Sequence, residues 1–313
     1  MKFDNAEDIF QLTQLWKGER FPNGRPKVPD DIVKRIGKTT IEEMWAPLYI
    51  RDYKFQFEGG LKRSNPDREV LVGRAVTAVY MPSRPDLHSY LMKYGHEVEG
   101  RKGNFNQWPL EELVKDDVII MDMYDKIREG CPLGGNLTTL ITNKTEGCGG
   151  IVWGGVRDLD QIQGIKNAQF YYRDTDPTPF RDTMLVGMNV PCHIGMAVCM
   201  PGDIVLGTAS GVIFVPAHLA ETCVIHAEKT HARDIWGFMR LHEGKYSAAQ
   251  IDTAWEPAMW EDFGEWFPNA PETAEYRHLD FSKELDDAKN GIVRTRQEMI
   301  DELRREEQQQ TRW

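Results

Sequence analysis

The stretch from Asp116 to Asp158 leaves this chain few folding options. A β-branched apolar run, Val118-Ile119-Ile120-Met121, closes on acids. After a short loop, Gly134-Gly135-Asn136-Leu137 opens a helix that stops near Gly147. A second apolar run, Ile151-Val152-Trp153, then ends in Gly154-Gly155-Val156-Arg157-Asp158. Short apolar runs bounded by turn residues read as buried strands, and a helix between them is the unit from which α/β sheets are built.

The rest of the middle of the chain repeats that alternation. Residues 69–81 are a β-branched run, while Leu87–Tyr94 and Leu110–Lys115 are short helical candidates. Residues 189–216 alternate apolar and turn residues, with Pro201-Gly202-Asp203 and Ala209-Ser210-Gly211 as turns. These signals define an α/β core with a mixed sheet over 69–235. Ahead of it, 1–68 reads as a helical arm packed on the core, with two short helices within Val28–Leu48 and an irregular crossing from Ile50 to Arg68. Behind it, 236–313 is an extension rich in aromatic residues, ending in a charged helix from about Ser282 to Gln310. Trp236, Trp255, Trp260 and Trp266 crowd that extension, and packing is the ordinary use of such residues.

Charge narrows the partners. A formal net charge of -11 opposes binding to nucleic acid or to an anionic membrane, both of which need clustered cations. The N-terminus lacks an apolar signal core and no stretch reaches membrane-span length, so a cytoplasmic protein is expected. The odd count of 5 cysteines, with no Cys-x-x-Cys pair, fits reduced thiols rather than a disulfide framework.

Chemistry is concentrated at the strand ends. Groups just past the carboxyl ends of neighbouring strands share one crevice in an open α/β sheet. The helix start at Gly135, Arg157 and Asp158 would therefore converge there. Helix amides and an arginine fork both bind carboxylates, and an aspartate holds Mg²⁺ or Mn²⁺ largely through retained waters. The trio suits a 2-oxo acid. Taken alone, Arg-Asp after a strand is equally what a surface turn or helix cap looks like.

The segment Gly134–Ile162 resembles the RraA-like, 4-hydroxy-4-methyl-2-oxoglutarate aldolase family. There a Gly-x-Leu turn runs through a helix to a strand ending in Gly-x-x-Arg-Asp. Residues 70–82 are similar to the family's Gly-x-Ala-x-Thr strand, and 189–221 to its Pro-Gly-Asp turn and following strand. The resemblance implies a swivelling β/β/α-type core in homotrimers or hexamers with shared active sites. It also implies a Mg²⁺- or Mn²⁺-dependent carbon–carbon lyase, an aldolase or decarboxylase passing through a metal-stabilised enolate. Carried over, Arg157 holds the substrate carboxylate, Asp158 anchors the metal, and amides around Gly135, Leu137 and Thr138 complete the pocket. The family also contains protein regulators that bind a ribonuclease without chemistry of their own.

Two positions depart from the family pattern. Asn136 stands where the aldolases carry an acid, and an amide orients water but accepts no proton near neutral pH. That leaves open hydration, isomerisation or cleavage of a sugar-derived acid. Ser210 replaces an aspartate at a turn. A carboxylate from a neighbouring subunit would come from the helix after Pro216, with Asp234 and Glu228 as candidates. Pocket walls are expected from the loop Phe170–Met184, including Tyr171, Tyr172 and Arg173.

Other reactive residues read as structural. Gly95 is expected to end its helix before His96, which separates that side chain from His88. His226 and His231, five apart, are expected at the surface. Cys131 and Cys148 flank the glycine-rich block but lack a legible base.

Overall fold

The longest strand, Leu71–Pro82 (β3), organises the sheet of the computed structural model, which describes residues 3–293, 297–298, 300–301 and 303–305. Two two-residue strands precede it, Phe57–Glu58 (β1) and Lys62–Arg63 (β2). Next come Asp117–Lys126 (β4), Gly149–Val156 (β5), Gln169–Thr175 (β6) and Thr183–Met188 (β7). Cys192–Ile194 (β8) and Ala197–Cys199 (β9) form a separate hairpin. Ile204–Gly207 (β10) and Val212–Val215 (β11) complete the set.

The strand order is β1-β11-β10-β3-β4-β5-β6-β2, with β7 pairing the far half of β3. Strands β3 to β6 run parallel, in register Ala75↔Val118, Ile120↔Ile151 and Ile151↔Tyr171, and all other pairings are antiparallel. Both faces are covered. Ile119, Met121 and Val152 enter one buried cluster with Trp108 and Ile141, whereas Val118, Ile120 and Ile151 enter another with Val205 and Phe214. That is why these strands read as continuous apolar runs rather than alternating ones. The mixed α/β reading holds, and the region from Ile50 to Arg68 gains β1 and β2, strands too short to carry a periodic signal.

The chain divides into two compact units, residues 1–41 with 55–220, and residues 42–54 with 221–313. These bounds do not coincide with the sequence zones 1–68, 69–235 and 236–313. The first unit holds the sheet and the helices Ala6–Leu12 (α1), Asp30–Ile36 (α2), Pro85–Glu97 (α4), Trp108–Glu111 (α5), Gly135–Lys144 (α6) and Leu159–Gly164 (α7). Helix Ile41–Ile50 (α3) belongs almost wholly to the second unit. Within the first unit, the segment before α2 is fastened by Arg25, whose two guanidinium nitrogens donate to the two Asp117 oxygens at 2.7 Å each. Arg74 donates to Val28 O and pairs with Asp30 beside it.

Helix α4 runs past Gly95 to Glu97, so His96 is helical, contrary to the sequence expectation. Trp108 occupies the space a side chain at 95 would need: a Cβ there would stand 2.3 Å from its ring. Glycine is required for a close approach, not for a stop.

The second unit is helical: Ala220–His242 (α8), Ala248–Ile251 (α9), Pro257–Trp266 (α10) and Ser282–Lys289 (α11). Its core is aromatic, with Trp236 and Trp255 rings 4.5 Å apart and Phe263 edge-on to Phe281 at 4.9 Å. The tryptophan-rich segment is therefore packing. The charged helix expected to reach Gln310 is seen over Ser282–Lys289, and Met299 and Gln310 lie outside the described residues. No described helix is long and apolar enough to cross a membrane.

Candidate active site at the ends of β4 and β5

The parallel pairing of β4 with β5 delivers the α6 start and the Arg157-Asp158 dipeptide to one place. Arg157 N donates to Leu133 O at 3.1 Å, tying the segment after β5 to the loop before α6. Asp158 sits in left-handed backbone geometry, φ 57° and ψ 42°, which aspartate tolerates better than most residues. Its Oδ2 accepts from the amide of Gly135 at 3.2 Å and lies 3.4 Å from Arg157 Nη1. Asp158 thus caps α6 across the crevice, not the helix it immediately precedes.

That cap sorts the helix amides. Gly135 N is used by Asp158, and Thr138 N donates to Gly134 O at 3.0 Å, so neither is left for a ligand. The Thr138 hydroxyl, fully buried, is likewise turned back onto the Gly134 and Gly135 carbonyls. The amides of Asn136 and Leu137 have no intramolecular acceptor among the described residues. They stand at the positive end of a ten-residue helix, where an anion is stabilised.

A cavity of about 260 Å³ opens beside them. Arg157, Asn136 and Leu137 line it, so these three residues of the sequence-based set meet in one space. Gly134 also lines it, with Asp158 directly behind: a Cβ on Gly134 would stand 2.4 Å from Asp158 Oδ2. Pro179 and Phe180 supply an apolar wall, and Asn104, Asn106 and Gln107 a polar one.

Tyr171, Tyr172 and Arg173 do not line this cavity. Tyr171 and Tyr172 are buried in β6, and Arg173 pairs with Asp125 and covers the Trp153 ring. Of the expected segment Phe170–Met184, Pro179 and Phe180 in the loop after β6 do line the cavity, and Asn104, Asn106 and Gln107, which no motif announced, supply the rest of the wall. Asp234 lies in the second unit, where burial raises its carboxyl pKa against the opposing charge of Arg233, with Glu43 and His231 also nearby. Glu228, in the same unit, pairs with His278 at 2.9 Å. His231 pairs with Glu43 at 2.9 Å, and His226 is half-buried rather than a surface group, its pKa lowered by burial to about 4. Burial pushes the Cys131 thiol up to about 11 and Cys148 to about 12, so both stay protonated and poorly nucleophilic at neutral pH. His88 and His96 pack against Phe105 and Trp108, and Ser210 sits in the exposed β10–β11 turn.

No group of three or more His, Cys, Asp or Glu side chains that would hold a metal occurs among the described residues. The described residues of this chain therefore do not by themselves build a closed transition-metal site. Asp158, a partly exposed oxygen donor, fits a different demand: Mg²⁺ keeps most of its waters and takes one or two carboxylates.

The family model described as Aldolase/RraA, of the RraA-like family, matches residues 48–214. A protein of Halalkalibacterium halodurans, provisionally named 4-hydroxy-4-methyl-2-oxoglutarate aldolase, is 32% identical over 92 residues, 29% of this chain and 43% of that protein. The match thus spans less than half the length of that relative. A protein of Pseudomonas syringae pv. tomato of uncharacterised role superposes with a TM-score of 0.55 at 17% identity, covering 72% of this chain and 98% of that one. Streptomyces coelicolor RraAS2, described as an unusual member of the RNase ES inhibitor RraA family, does so with a TM-score of 0.55 at 20% identity over 69% and 98%. At these identities the two structures establish the fold alone.

Proposed function

Because the chain belongs to the RraA-like family, which includes aldolases as well as inhibitors of RNase, we propose that it is a divalent-metal-dependent carbon–carbon lyase acting on a 2-oxo or hydroxy-oxo acid. The observation that carries this reading is the convergence of Arg157 with the unpaired amides of Asn136 and Leu137 on one cavity. A protein regulator has no need of a concave anion site backed by a carboxylate cap.

Arg157 offers a planar fork to the substrate carboxylate, and the two amides donate to the same group. Three donors of fixed geometry orient the 2-oxo carbon before reaction, which is where much of a lyase's rate advantage lies. Asp158 would hold Mg²⁺ or Mn²⁺, which when bound supplies Lewis-acid polarisation of the substrate's 2-oxo group. Asn136 orients a water through its carboxamide without taking its proton. Phe180 and Pro179 keep one wall of the cavity dry, strengthening every charge interaction inside it. Trimers, or hexamers of two trimers, are the assembly we propose, in keeping with RraA-like proteins generally.

The test is pyruvate release from a 4-hydroxy-2-oxo acid, alongside oxaloacetate decarboxylation, with Mg²⁺ or Mn²⁺ present and after chelation. Arg157→Ala and Asp158→Ala are each expected to lower kcat/KM by about 100-fold or more. Wild-type turnover in either variant would overturn the assignment.

A further inference from the structure

The polar wall of the cavity defines the part of the ligand beyond its carboxylate. Arg157 is the one charged side chain among the described residues lining it. The opposite polar groups are Asn104, Asn106 and Gln107, all carboxamides, and two of them are held in place. Asn106 Nδ2 donates to Pro132 O at 2.9 Å, and Gln107 Oε1 accepts from Asn104 N at 2.7 Å. These bonds leave Asn106 Oδ1 as an acceptor, Gln107 Nε2 as a donor and the whole Asn104 carboxamide, on three residues that line a small cavity.

Carboxamides present donors and acceptors together, which matches hydroxyl groups, themselves both donor and acceptor. They carry no charge to offset a second carboxylate, and a charge taken from water without a partner is costly. The first carboxylate already occupies Arg157. The volume of about 260 Å³ lies below the roughly 300–1,000 Å³ of drug-sized pockets, so the ligand is a small acid. The Phe180 ring, held edge-on to Tyr80 at 5.7 Å, gives the C–H side of a carbon chain a flat surface.

We infer that this site takes a 2-oxo acid with a single carboxylate and a neutral hydroxylated tail, Asn104, Asn106 and Gln107 reading the tail's hydroxyls. The inference rests on the lyase reading only for the reaction. There the C3–C4 bond breaks and its electron pair passes to C3. The C4 hydroxyl gives up its proton and becomes an aldehyde, and C3 takes up a proton. Pyruvate and a hydroxyaldehyde result, with no oxidant or reductant needed.

Two matched probes of equal chain length separate the possibilities, 2-oxo-4,5,6-trihydroxyhexanoate and 2-oxo-4-hydroxyhexanedioate. Calorimetric binding to the full chain with Mg²⁺ is measured in parallel with pyruvate release. The expected result is at least tenfold tighter binding of the trihydroxy acid, with Gln107→Arg shifting the preference towards the diacid. Equal or tighter binding of the diacid by the wild-type protein, or binding of neither, overturns the inference whatever the turnover. Tight binding of the trihydroxy acid without pyruvate release upholds it and removes the lyase reading. Release from the diacid together with tighter diacid binding does the reverse.

Discussion

Gly134 and Asp158 exclude each other's space: a Cβ at position 134 would stand 2.4 Å from Asp158 Oδ2 and 3.2 Å from Arg157 Nε. The backbone at 134 is extended, at φ -144°, so an alanine there is not barred by its torsions. Its methyl instead displaces the acid and the arginine together. Gly134→Ala is expected to lower kcat/KM by about 100-fold, the usual cost of moving reacting groups by an ångström. Thermal stability should change little by comparison. Wild-type kcat/KM measured with a 4-hydroxy-2-oxo acid would show that Asp158 and Arg157 need not stand where they do.

A second glycine carries a stability prediction. Gly95→Ala places its methyl 2.3 Å from the buried Trp108 ring, and overpacking of this kind costs about 1–3 kcal/mol. On an open helix the same change would stabilise, since alanine is the better helix former. Urea unfolding decides between the two, and an increase in stability would mean that Trp108 moves aside at no cost.

Those two glycines show how far the fold and the site are legible in the sequence. The strands around Val118–Met121 and Ile151–Trp153 are legible, because a parallel sheet covered on both faces demands uninterrupted apolar runs. Arg157 and Asn136 are legible as neighbours because strand ends in such a sheet share a crevice. Gly95 misleads because a glycine that ends a helix and one that admits a neighbouring ring are the same letter. Thr138 illustrates another limit: that its amide is spent on Gly134 O while that of Leu137 is not depends on where the first helical turn closes. Asn104, Asn106 and Gln107 lie beyond reach, since a distant loop brings them to the cavity and their carboxamides form no motif. Tyr171 looks like a wall because its segment is polar beyond Tyr172, yet β6 pairs with β5 and buries it.

The ion pair of Arg25 with Asp117 makes a prediction about folding. Both side chains are almost wholly buried, and burial raises the Asp117 carboxyl while Arg25 opposes that rise. Removing one partner leaves a buried charge uncompensated, at about 3–5 kcal/mol. Asp117→Leu and Arg25→Met are each expected to destabilise by that order in chemical denaturation. The double variant Arg25→Met with Asp117→Leu should recover most of the loss. If the two single losses simply add in the double variant, the residues contribute independently and the pair is not the origin of the effect.

Asp203, in the turn between β9 and β10, yields a prediction in pH. Its carboxyl is buried and accepts from Met200 N at 2.8 Å, and burial pushes its pKa from 3.8 up to about 7. A carboxyl whose folded value exceeds its unfolded value favours folding when protonated. That contribution is complete below about pH 4 and is lost as the pH rises through about 7. Asp203→Asn keeps the shape and stays neutral throughout. The variant's melting temperature relative to wild type is therefore expected to climb between pH 4 and 8. Its gain at the upper end should be on the order of a few kcal/mol. Parallel melting curves across that window would show that the Asp203 carboxylate is fully compensated within its turn.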